Sequence, residues 1–307
     1  MSGPLRVVGI VPHLIRPIAI DIARELISTF EARGIRVRVP ASDAAKTGLD
    51  RWAHPDEKFG DGLSMAFSLG GDGTMLRTVD LVSARGVPVL GVNIGHLGYL
   101  TVVQPDELPA ALDRVLTGNY QIESRMTLAI EVHPSSPERE SKAGGGAVTF
   151  IALNEAGLEK RSAGNTVRLG VEFNGEPFID YSADGLIVAT PTGSTAYAFS
   201  SRGPIVSPLL RAIVVVPVSP HMLFDRTLVL HGSEEVRVEV LDGRAATLFV
   251  DGRDSGTLAE GTAVICRAGS EDAKLVTLGG RDFHSILKAK FGLPPSGSDL
   301  RPRRGGR

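Results

Sequence analysis

The sequence predicts an α/β domain followed by an all-β domain. From residue 1 to about residue 120, short apolar segments alternate with segments of helical periodicity. Near residue 122 the pattern changes to alternating strands joined by hairpin turns, and one helical segment closes the chain. A chain of 307 residues is long enough for a well-buried core. We expect an N-terminal open parallel sheet domain over residues 1–122 and a C-terminal β-sandwich-like domain over residues 123–280.

The first half carries the elements of an open sheet with helices on both faces. The predicted strands are 6–11, 35–39, 64–69 and 87–93, and the predicted helices are 17–33, 74–85 and 107–116. In the helix over 17–33 the apolar residues fall on one face, and Gly34 is a plausible stop. Ligands of such sheets bind where strands end and the chain turns into helices.

The second half is rich in hairpin signals. Asn174-Gly175, Asp242-Gly243 and Asp251-Gly252 each lie between alternating strands, and only residues 194–201 have a helical pattern. Residues 281–293 predict a terminal helix that packs back on the first domain. The tail over 294–307 carries four arginines and is expected to be disordered.

Composition excludes several classes of protein. The formal net charge is −2 and 22% of the residues are charged, which favours neither a nucleic-acid nor a membrane partner. The apolar run over 212–218 is too short to span a bilayer. The single cysteine allows no intrachain disulfide and fits a reducing compartment. We expect a cytoplasmic protein.

The first candidate site is the sequence Gly70-Gly71-Asp72-Gly73-Thr74, between a predicted strand and a predicted helix. Glycines let a ligand approach the backbone, and the N–H groups at a helix start favour phosphate. A carboxylate among them would repel phosphate, but it makes sense if it faces a hydroxyl that attacks phosphorus. The alternative is a turn in which Asp72 only caps the helix.

Two further stretches place polar groups at strand ends. Asn93 belongs to the glycine-rich run over 91–100, which should emerge at the same sheet edge as the Gly70 loop. Asn154 and Glu155 follow an apolar strand, where they fit hydrogen bonding to ribose or amide groups. A charged strand terminus without a ligand remains the alternative for this pair.

A hydroxyl-rich turn follows the apolar strand that begins after Asp184. It supplies donors for a polar ligand at the start of a short helix, and Tyr197 fits stacking on a base. The candidate binding residues of this turn are Thr192, Gly193, Ser194, Thr195, Ala196, Tyr197 and Ser200. The alternative is a capping turn with Ser194 as the N-cap, which can hold at the same time.

Taken together and in this order, the motifs resemble the NAD kinase family. They are GGDGT at 70–74, GVNIGHLGYL at 91–100, NE at 154–155 and DGLIVATPTGSTAY at 184–197, and PVSPH at 217–221 is similar to a later family motif. GGDGT alone is shared with lipid kinases and in part with phosphofructokinases. The run over 184–197 with NE upstream is the specific part.

The resemblance implies an enzyme that moves the γ-phosphoryl group of ATP to the 2′-hydroxyl of the adenosine ribose of NAD, giving NADP. Some members use inorganic polyphosphate as the donor. Mg²⁺ or another divalent cation would accompany ATP, and no cluster has metal-ligand spacing, so no protein ligand is assigned to it. The family is typically cytoplasmic, and its homodimers or homotetramers share residues between sites.

The resemblance also implies roles for individual residues. Asp72 would be the general base or hydroxyl-orienting carboxylate, Gly73 would contact the same nucleotide, and Arg77 would lie near the phosphates. The implied contacts to NAD are Asn154, Glu155, Asp184, Thr192, Thr195, Ala196, Tyr197 and Ser200.

Departures from the family pattern blur the substrate preference. Residues 161–166 are polar where members often carry a basic contact, and Ser182 is small where some members carry a charge. Two alternatives stay open: a kinase of a lipid or sugar hydroxyl that shares GGDGT, and a non-catalytic regulator that binds NAD. The presence of Asp72 argues against the regulator.

Overall fold

A computed structural model describes residues 5–95, 98–101, 103–134, 147–162, 164–241, 243–279 and 282–293. The α-helices in these segments are α1 (Pro17–Glu31), α2 (Ala41–Thr47), α3 (Asp72–Val82), α4 (Leu108–Leu116), α5 (Tyr197–Ser200) and α6 (Phe283–Phe291). The N-terminal strands are β1 (Val7–Pro12), β2 (Arg36–Pro40), β3 (Ala53–His54), β4 (Met65–Gly70), β5 (Val89–Asn93) and β6 (Gln121–Arg125). The later strands are β7 (Leu128–His133), β8 (Val148–Ala152), β9 (Glu155–Lys160), β10 (Val167–Phe173), β11 (Glu176–Ala183), β12 (Gly185–Ala189), β13 (Ala212–Val218), β14 (Leu228–His231), β15 (Val236–Leu241), β16 (Ala246–Val250), β17 (Arg253–Leu258), β18 (Ala263–Ala268) and β19 (Ala273–Thr277).

The first sheet has seven strands in the order β3-β2-β1-β4-β5-β19-β6. All neighbouring strands pair in parallel, including β5 with β19, except that the edge strand β6 is antiparallel to β19. The sheet is therefore not the wholly parallel one that the sequence predicts. Strand β19 falls within the range 123–280 expected for the β-rich domain, yet it pairs in the first sheet. A five-residue strand pattern does not indicate which sheet the strand joins. The position of β19 is set by tertiary structure, because the chain comes back to the first sheet after it has formed the later strands.

Helices cover both faces of this sheet, as its alternating pattern predicts. Helix α1 packs Leu26, Ile27 and Phe30 against one face, where the buried face of α4 also lies. Helix α3 packs Met75 and Val79 against the other face. Helix α2 has no counterpart in the sequence prediction, since its seven residues are too few to show periodicity.

The second half forms two six-stranded antiparallel sheets. Their orders are β11-β10-β15-β18-β7-β8 and β14-β13-β12-β9-β16-β17. The inner faces share one apolar core, which includes Leu158, Leu169 and Val238. Asn174 and Asp251 adopt the positive φ of hairpin turns, 53° and 48°. The β-sandwich-like prediction is therefore confirmed, while Asp242 of the third hairpin signal lies outside the described residues.

Helix α6 contacts both parts of the chain. Asp282 caps it by accepting the Ser285 N–H at 2.7 Å, Lys290 Nζ lies 4.6 Å from the Tyr99 ring centroid, and the ring of Phe291 lies 5.2 Å from that of Phe199. The tail over 294–307 lies outside the described residues. Within the segments that the structure covers, no helix has the length and apolarity to cross a membrane.

Candidate active site

Helix α3 begins at Asp72, two residues before the predicted start. Gly71 is the extended N-cap residue, and the Asp72 carboxylate makes no capping bond to α3. Instead, Asp72 Oδ2 accepts the Tyr99 N–H at 2.9 Å and Oδ1 accepts the Leu100 N–H at 3.0 Å. The carboxylate is half-buried and held in one orientation. The sequence left two interpretations of Asp72 open, a helix cap or a group that acts on a ligand hydroxyl. The geometry does not support the helix cap.

The glycines around Asp72 serve different purposes. A Cβ on Gly98 would lie 2.1 Å from Asp72 Oδ1, and a Cβ on Gly70 would lie 2.1 Å from Thr74 Oγ1. Both positions need glycine for packing within the chain. By contrast, a Cβ on Gly71 or Gly73 would meet no atom of the described residues within 4 Å. Their backbone is therefore open to a ligand.

A cleft of about 360 Å³ lies beside Gly71 and Gly73. Its other wall comes from the turn after β1, and the lining residues are Pro12, His13, Leu14, Ile15, Arg16, Gly71, Gly73, Thr74 and Arg77. His13 Nδ1 accepts the N–H of Ile15 at 3.2 Å and that of Arg16 at 3.3 Å. Burial and the neighbouring Arg16 lower the pKa of His13, which favours the neutral imidazole.

The side chain of Arg16, which lines this cleft, is anchored to the chain that follows β5. It donates to the Ile94 carbonyl, and its guanidinium fills the space that a Cβ on Gly95 would need. Gly95 has a φ of 151°, so this close approach depends on glycine. His13 and Arg16 were not among the candidates from the sequence. The available signal is that both follow β1 at the sheet edge where β4 also ends.

Arg77 is anchored to protein rather than free in the cleft. Its guanidinium contacts the carboxylate of Asp43, a fully buried residue, and it donates to Ser42 Oγ at 3.0 Å. Burial raises the pKa of Asp43, and the contact with Arg77 opposes that shift. Arg77 therefore has a structural partner besides any phosphate.

Asn93 lies at the end of β5, directly opposite Gly70 in the sheet. It is buried, and its Nδ2 makes long contacts of 3.4 Å to the Gly95 carbonyl and to Gln104 Oε1. Its Oδ1 accepts no hydrogen bond from the described residues. Since buried polar atoms are normally paired, this oxygen is available to a ligand.

The Asn154-Glu155 turn is organised by Asp251, which the sequence did not single out as a site residue. The Asp251 carboxylate accepts three consecutive N–H groups, from Leu153 at 2.9 Å, Asn154 at 2.7 Å and Glu155 at 3.2 Å. Burial raises the pKa of Asp251, and these three hydrogen bonds lower it in part. The only sequence signal was the hairpin turn Asp251-Gly252.

Glu155 is a buried carboxyl group with an unpaired oxygen. It is 6% exposed, and its Oε2 has no hydrogen-bond partner among the described residues. Burial, together with the nearby charge of Asp251, raises the pKa of Glu155 to about 8. The Tyr197 N–H donates to it and opposes this shift. Near neutral pH the group holds a proton and can donate to a ligand.

The hydroxyl-rich turn packs directly on this pair. Thr190 N–H donates to the Asn154 carbonyl at 2.8 Å, and a Cβ on Gly193 would lie 2.2 Å from the same oxygen. Ser194 is fully buried, and its Oγ bonds to Pro191 and to the backbone of Val206. The Ser194 hydroxyl therefore ties the turn to the backbone of Pro191 and Val206. It is not the N-cap that the alternative interpretation predicts, because Ala196 is the N-cap residue of α5 and no described side chain caps that helix.

The remaining candidates of the turn differ in solvent exposure, from the buried Thr192 to the exposed Ser200. Thr192 Oγ1 accepts from Arg125 at 3.4 Å, and Thr195 Oγ1 donates to the Thr192 carbonyl at 3.3 Å. Ala196 and Tyr197 follow in the chain, and burial first, then Glu159, raises the pKa of Tyr197 to about 12. Ser200 is exposed at the end of α5.

Asp184 lies away from Thr192 but near Tyr197, whose pKa is raised by burial first, then by Glu159 and by the charge of Asp184. Asp184 precedes β12, whereas Thr190 follows β12, so the two lie at opposite ends of a five-residue strand, roughly 17 Å apart along it. Asp184 also pairs with Lys160 Nζ at 2.5 Å. The sequence places Asp184 and Thr192 in one motif, but the extended strand between them separates their side chains.

The two sets of residues meet across the domain junction. Leu153, next to Asn154, shares an apolar cluster with Met75 of α3 and with Leu100, whose N–H binds Asp72. Arg253 also pairs with Asp80 of α3 at 2.9 Å. The Asp72 cleft and the Asn154-Glu155 turn are thus neighbours.

Comparison with known proteins agrees with this arrangement. Residues 8–120 match the family description of the ATP-NAD kinase N-terminal domain, and residues 153–278 match that of the ATP-NAD kinase C-terminal domain. NAD kinase 2 of Streptomyces avermitilis is 38% identical over 302 residues, covering 95% of this chain and 96% of that protein. The NAD kinase of Moorella thermoacetica is 38% identical over 287 residues, covering 92% and 88%.

The chain belongs to the NAD kinase family. The resemblance inferred from its motifs is confirmed. Two solved structures share the fold of this NAD kinase family member. A yeast NADH kinase complexed with NADH gives a TM-score of 0.82 at 24% identity, covering 100% of this chain and 90% of that one. An Archaeoglobus fulgidus NAD kinase in complex with ATP gives 0.68 at 20% identity, covering 94% and 98%.

Within the described part of this NAD kinase family member, no three His, Cys, Asp or Glu side chains cluster as a metal site. The carboxyl groups of Glu155 and Asp251 approach each other, but Asp251 is already occupied by three N–H groups. The residues that the structure describes therefore offer no ready cage for a divalent cation. Phosphate oxygens of a nucleotide would have to supply most of its ligands.

Proposed function

We propose that this chain transfers the γ-phosphoryl group of ATP to the 2′-hydroxyl of the adenosine ribose of NAD, forming NADP. The observation that carries the proposal is the fixed Asp72 carboxylate, which stands beside an open glycine backbone in a chain whose two halves match the two NAD kinase domains. Inorganic polyphosphate as an alternative donor belongs to the same proposal.

Asp72 would act on the attacking hydroxyl. Each Asp72 oxygen accepts one backbone N–H and keeps a second lone pair for the 2′-hydroxyl proton. As that proton moves to the carboxylate, the ribose oxygen forms a bond to the γ-phosphorus, the bond to the bridging oxygen breaks, and ADP leaves. Positioning and proton transfer are thus the contributions of this residue.

The donor phosphates would lie in the cleft beside Gly71 and Gly73. The start of α3 offers unpaired N–H groups there, together with Thr74, and Arg16 and Arg77 border the same cleft. Gly70 and Gly98 allow the loops around Asp72 to pack closely. Because an amide oxygen only accepts, the unpaired Asn93 Oδ1 would suit a hydroxyl group of the nucleotide rather than its phosphates. A divalent cation, Mg²⁺ being the usual one, would enter with ATP and screen its charge.

NAD would be held by the second half of the chain. The supporting features are the Asn154 amide, the protonated Glu155 carboxyl, the turn over 192–196 and the ring of Tyr197. Ser200 extends this surface along α5. Asp184, which lies near Tyr197, would contact the same dinucleotide, and the chain would work as a homodimer or homotetramer.

The experiment is a turnover assay on the purified full-length chain. We expect NADP from ATP, Mg²⁺ and NAD, with NADH and polyphosphate crossed in as alternative acceptor and donor. A folded protein that makes no NADP from any pair would overturn the proposal. Tight NAD binding without turnover would favour the non-catalytic regulator, and turnover of a lipid or sugar alone would favour the other kinase class. Cell fractionation and light scattering test the cytoplasmic location and the oligomeric state.

A further inference from the structure

A polar cavity lies beyond the NAD-binding surface and has no role in the scheme above. Its volume is about 720 Å³, within the range of small-molecule sites. Its lining includes Ser200, Arg202, Ser219, Asp225, Arg226 and Thr227. We call it the Arg202 cavity. Four hydroxyl groups and two guanidinium groups border it, a composition typical of anion sites.

Arg202 occupies a backbone position that normally requires glycine. It follows α5 in a Schellman turn: the Arg202 N–H donates to the Phe199 carbonyl at 3.0 Å, and the Gly203 N–H donates to the Ala198 carbonyl at 2.8 Å. The φ of Arg202 is 67°, a left-handed conformation that disfavours any residue with a Cβ. The chain has a glycine next to it, at 203, but keeps arginine at the strained position.

Nothing in the described structure explains why arginine stands there. The Arg202 side chain is exposed and makes no ion pair or hydrogen bond with any described residue. Basic residues favour helix C-termini through the dipole, but α5 has only four residues and a correspondingly small dipole. The guanidinium is therefore free to meet a ligand in the cavity.

The cavity lining carries a weak excess of positive charge, since Arg202 and Arg226 line it together with a single carboxylate, that of Asp225. The Arg226 guanidinium lies 3.5 Å from the carboxylate of its neighbour Asp225, and both side chains are largely exposed. Such an exposed ion pair is weak, so Arg226 can also contact a ligand. Ser219 has a φ of 46°, a second strained non-glycine residue on the same wall. Three prolines fix the remaining backbone. Such strain concentrates at binding sites.

We propose that the Arg202 cavity is a phosphate-binding subsite, with the Arg202 guanidinium as its principal contact. Arg226 and the hydroxyl of Thr227, which line the same cavity, are the further contacts. The ligand is a phosphate or diphosphate group of a nucleotide. Because Ser200 borders both this cavity and the proposed NAD surface, the group is either the diphosphate of the dinucleotide itself or that of a separate phosphorylated ligand.

The test compares three variants of the full-length chain by calorimetric titration with inorganic pyrophosphate. Arg202→Gln removes the charge and keeps the strain, whereas Arg202→Gly removes both. Arg36→Gln is the control, because Arg36 is an exposed arginine on β2 away from the cavity. We expect both Arg202 variants to bind pyrophosphate at least about ten-fold more weakly, or to lose one site, while Arg36→Gln matches the wild type. Arg202→Gly alone should also melt about 2 °C higher.

The titration is then repeated with saturating NAD. If NAD displaces the pyrophosphate that depends on Arg202, the dinucleotide supplies the phosphate group, and if it does not, a separate ligand does. Unchanged pyrophosphate binding in both Arg202 variants would overturn the proposal. The titration measures binding and does not depend on turnover. A chain that binds pyrophosphate through Arg202 but forms no NADP would therefore contradict the proposed function and still support the subsite.

Discussion

Glu155 and Asp251 are joined by two reciprocal hydrogen bonds. The Asp251 N–H donates to the Glu155 carbonyl at 3.0 Å, and Asp251 Oδ1 accepts the Glu155 N–H at 3.2 Å. This places two carboxyl groups side by side in the interior, where burial raises the pKa of each. The hairpin between β16 and β17 thereby fixes the turn that we propose to hold NAD.

Replacement of Asp251 by asparagine should weaken both the fold and the proposed NAD site. Both oxygens of the Asp251 carboxylate accept N–H groups. In asparagine one of these oxygens is replaced by an NH₂ group, which donates and cannot accept, so at least one N–H loses its partner. We expect a loss of about 1–3 kcal/mol in the free energy of unfolding and a raised KM for NAD. Denaturant unfolding and steady-state kinetics measure these effects.

Asp254→Asn is the matched control for that variant. Asp254 lies in the same hairpin and accepts a single N–H, from Gly256, which an amide oxygen can still accept. We expect nearly wild-type stability and KM. Equal effects of the two substitutions would contradict a specific role for Asp251.

Glu155 should make stability depend on pH. Its pKa is about 8 in the folded chain, against 4.5 for a glutamate in water, so the folded protein holds a proton that the unfolded chain releases. The free energy of unfolding should therefore fall as pH rises from about 4.5 to about 8 and then level off. Glu155→Gln, which stays neutral, should have a shallower slope. Urea unfolding between about pH 5 and 8 checks this, and identical slopes would refute it.

Asp72→Asn should abolish most turnover while the fold persists. General-base catalysis is worth about 10²- to 10⁴-fold in rate, and an amide cannot take the hydroxyl proton. The measurement is NADP formation beside thermal melting. Asp80→Asn, on the same helix, where Asp80 pairs with Arg253 at the surface, should keep its activity. An active Asp72→Asn enzyme would remove Asp72 from the proposed role.

Alanine substitutions at two glycines should separate packing from ligand contact. Gly193→Ala would place a methyl group 2.2 Å from the Asn154 carbonyl oxygen, so it should destabilise the fold by about 1–3 kcal/mol. Gly73→Ala meets no described atom within 4 Å and lies in α3, so stability should hold or rise. Its KM for ATP should nevertheless increase. A wild-type KM would show that no phosphate lies over Gly73.

Arg77→Met should destabilise the chain by about 3–5 kcal/mol, because it leaves the buried Asp43 carboxylate unpaired. The double variant with Asp43→Asn should recover much of this loss. If the double variant is stable yet still impaired with ATP, Arg77 also contacts phosphate. Full activity in it would limit Arg77 to its structural pairing.

The sequence by itself determined the family, the order of the two folds and the local chemistry. The glycine positions around Asp72 and the hairpin turns at Asn174-Gly175 and Asp251-Gly252 are encoded in a few neighbouring residues, and both turns are confirmed. The apolar faces of α1 and α3 were predicted in part, since Leu26, Ile27, Phe30 and Val79 are buried but Ile18 is exposed. The Asn154-Glu155 pair was predicted correctly as a strand-end feature. Local patterns suffice because turn geometry and amphipathic periodicity depend on residues close in the chain.

Only the tertiary structure decided which groups meet. Asp251 lies 96 residues from Glu155, and β19 joins a sheet whose other strands end at residue 125. The separation of Asp184 from Thr192, the pairing of Arg77 with Asp43 and the glycine-like conformation of Arg202 likewise follow from the folded backbone. Such contacts depend on long-range packing and burial, which a single sequence does not display in any local pattern.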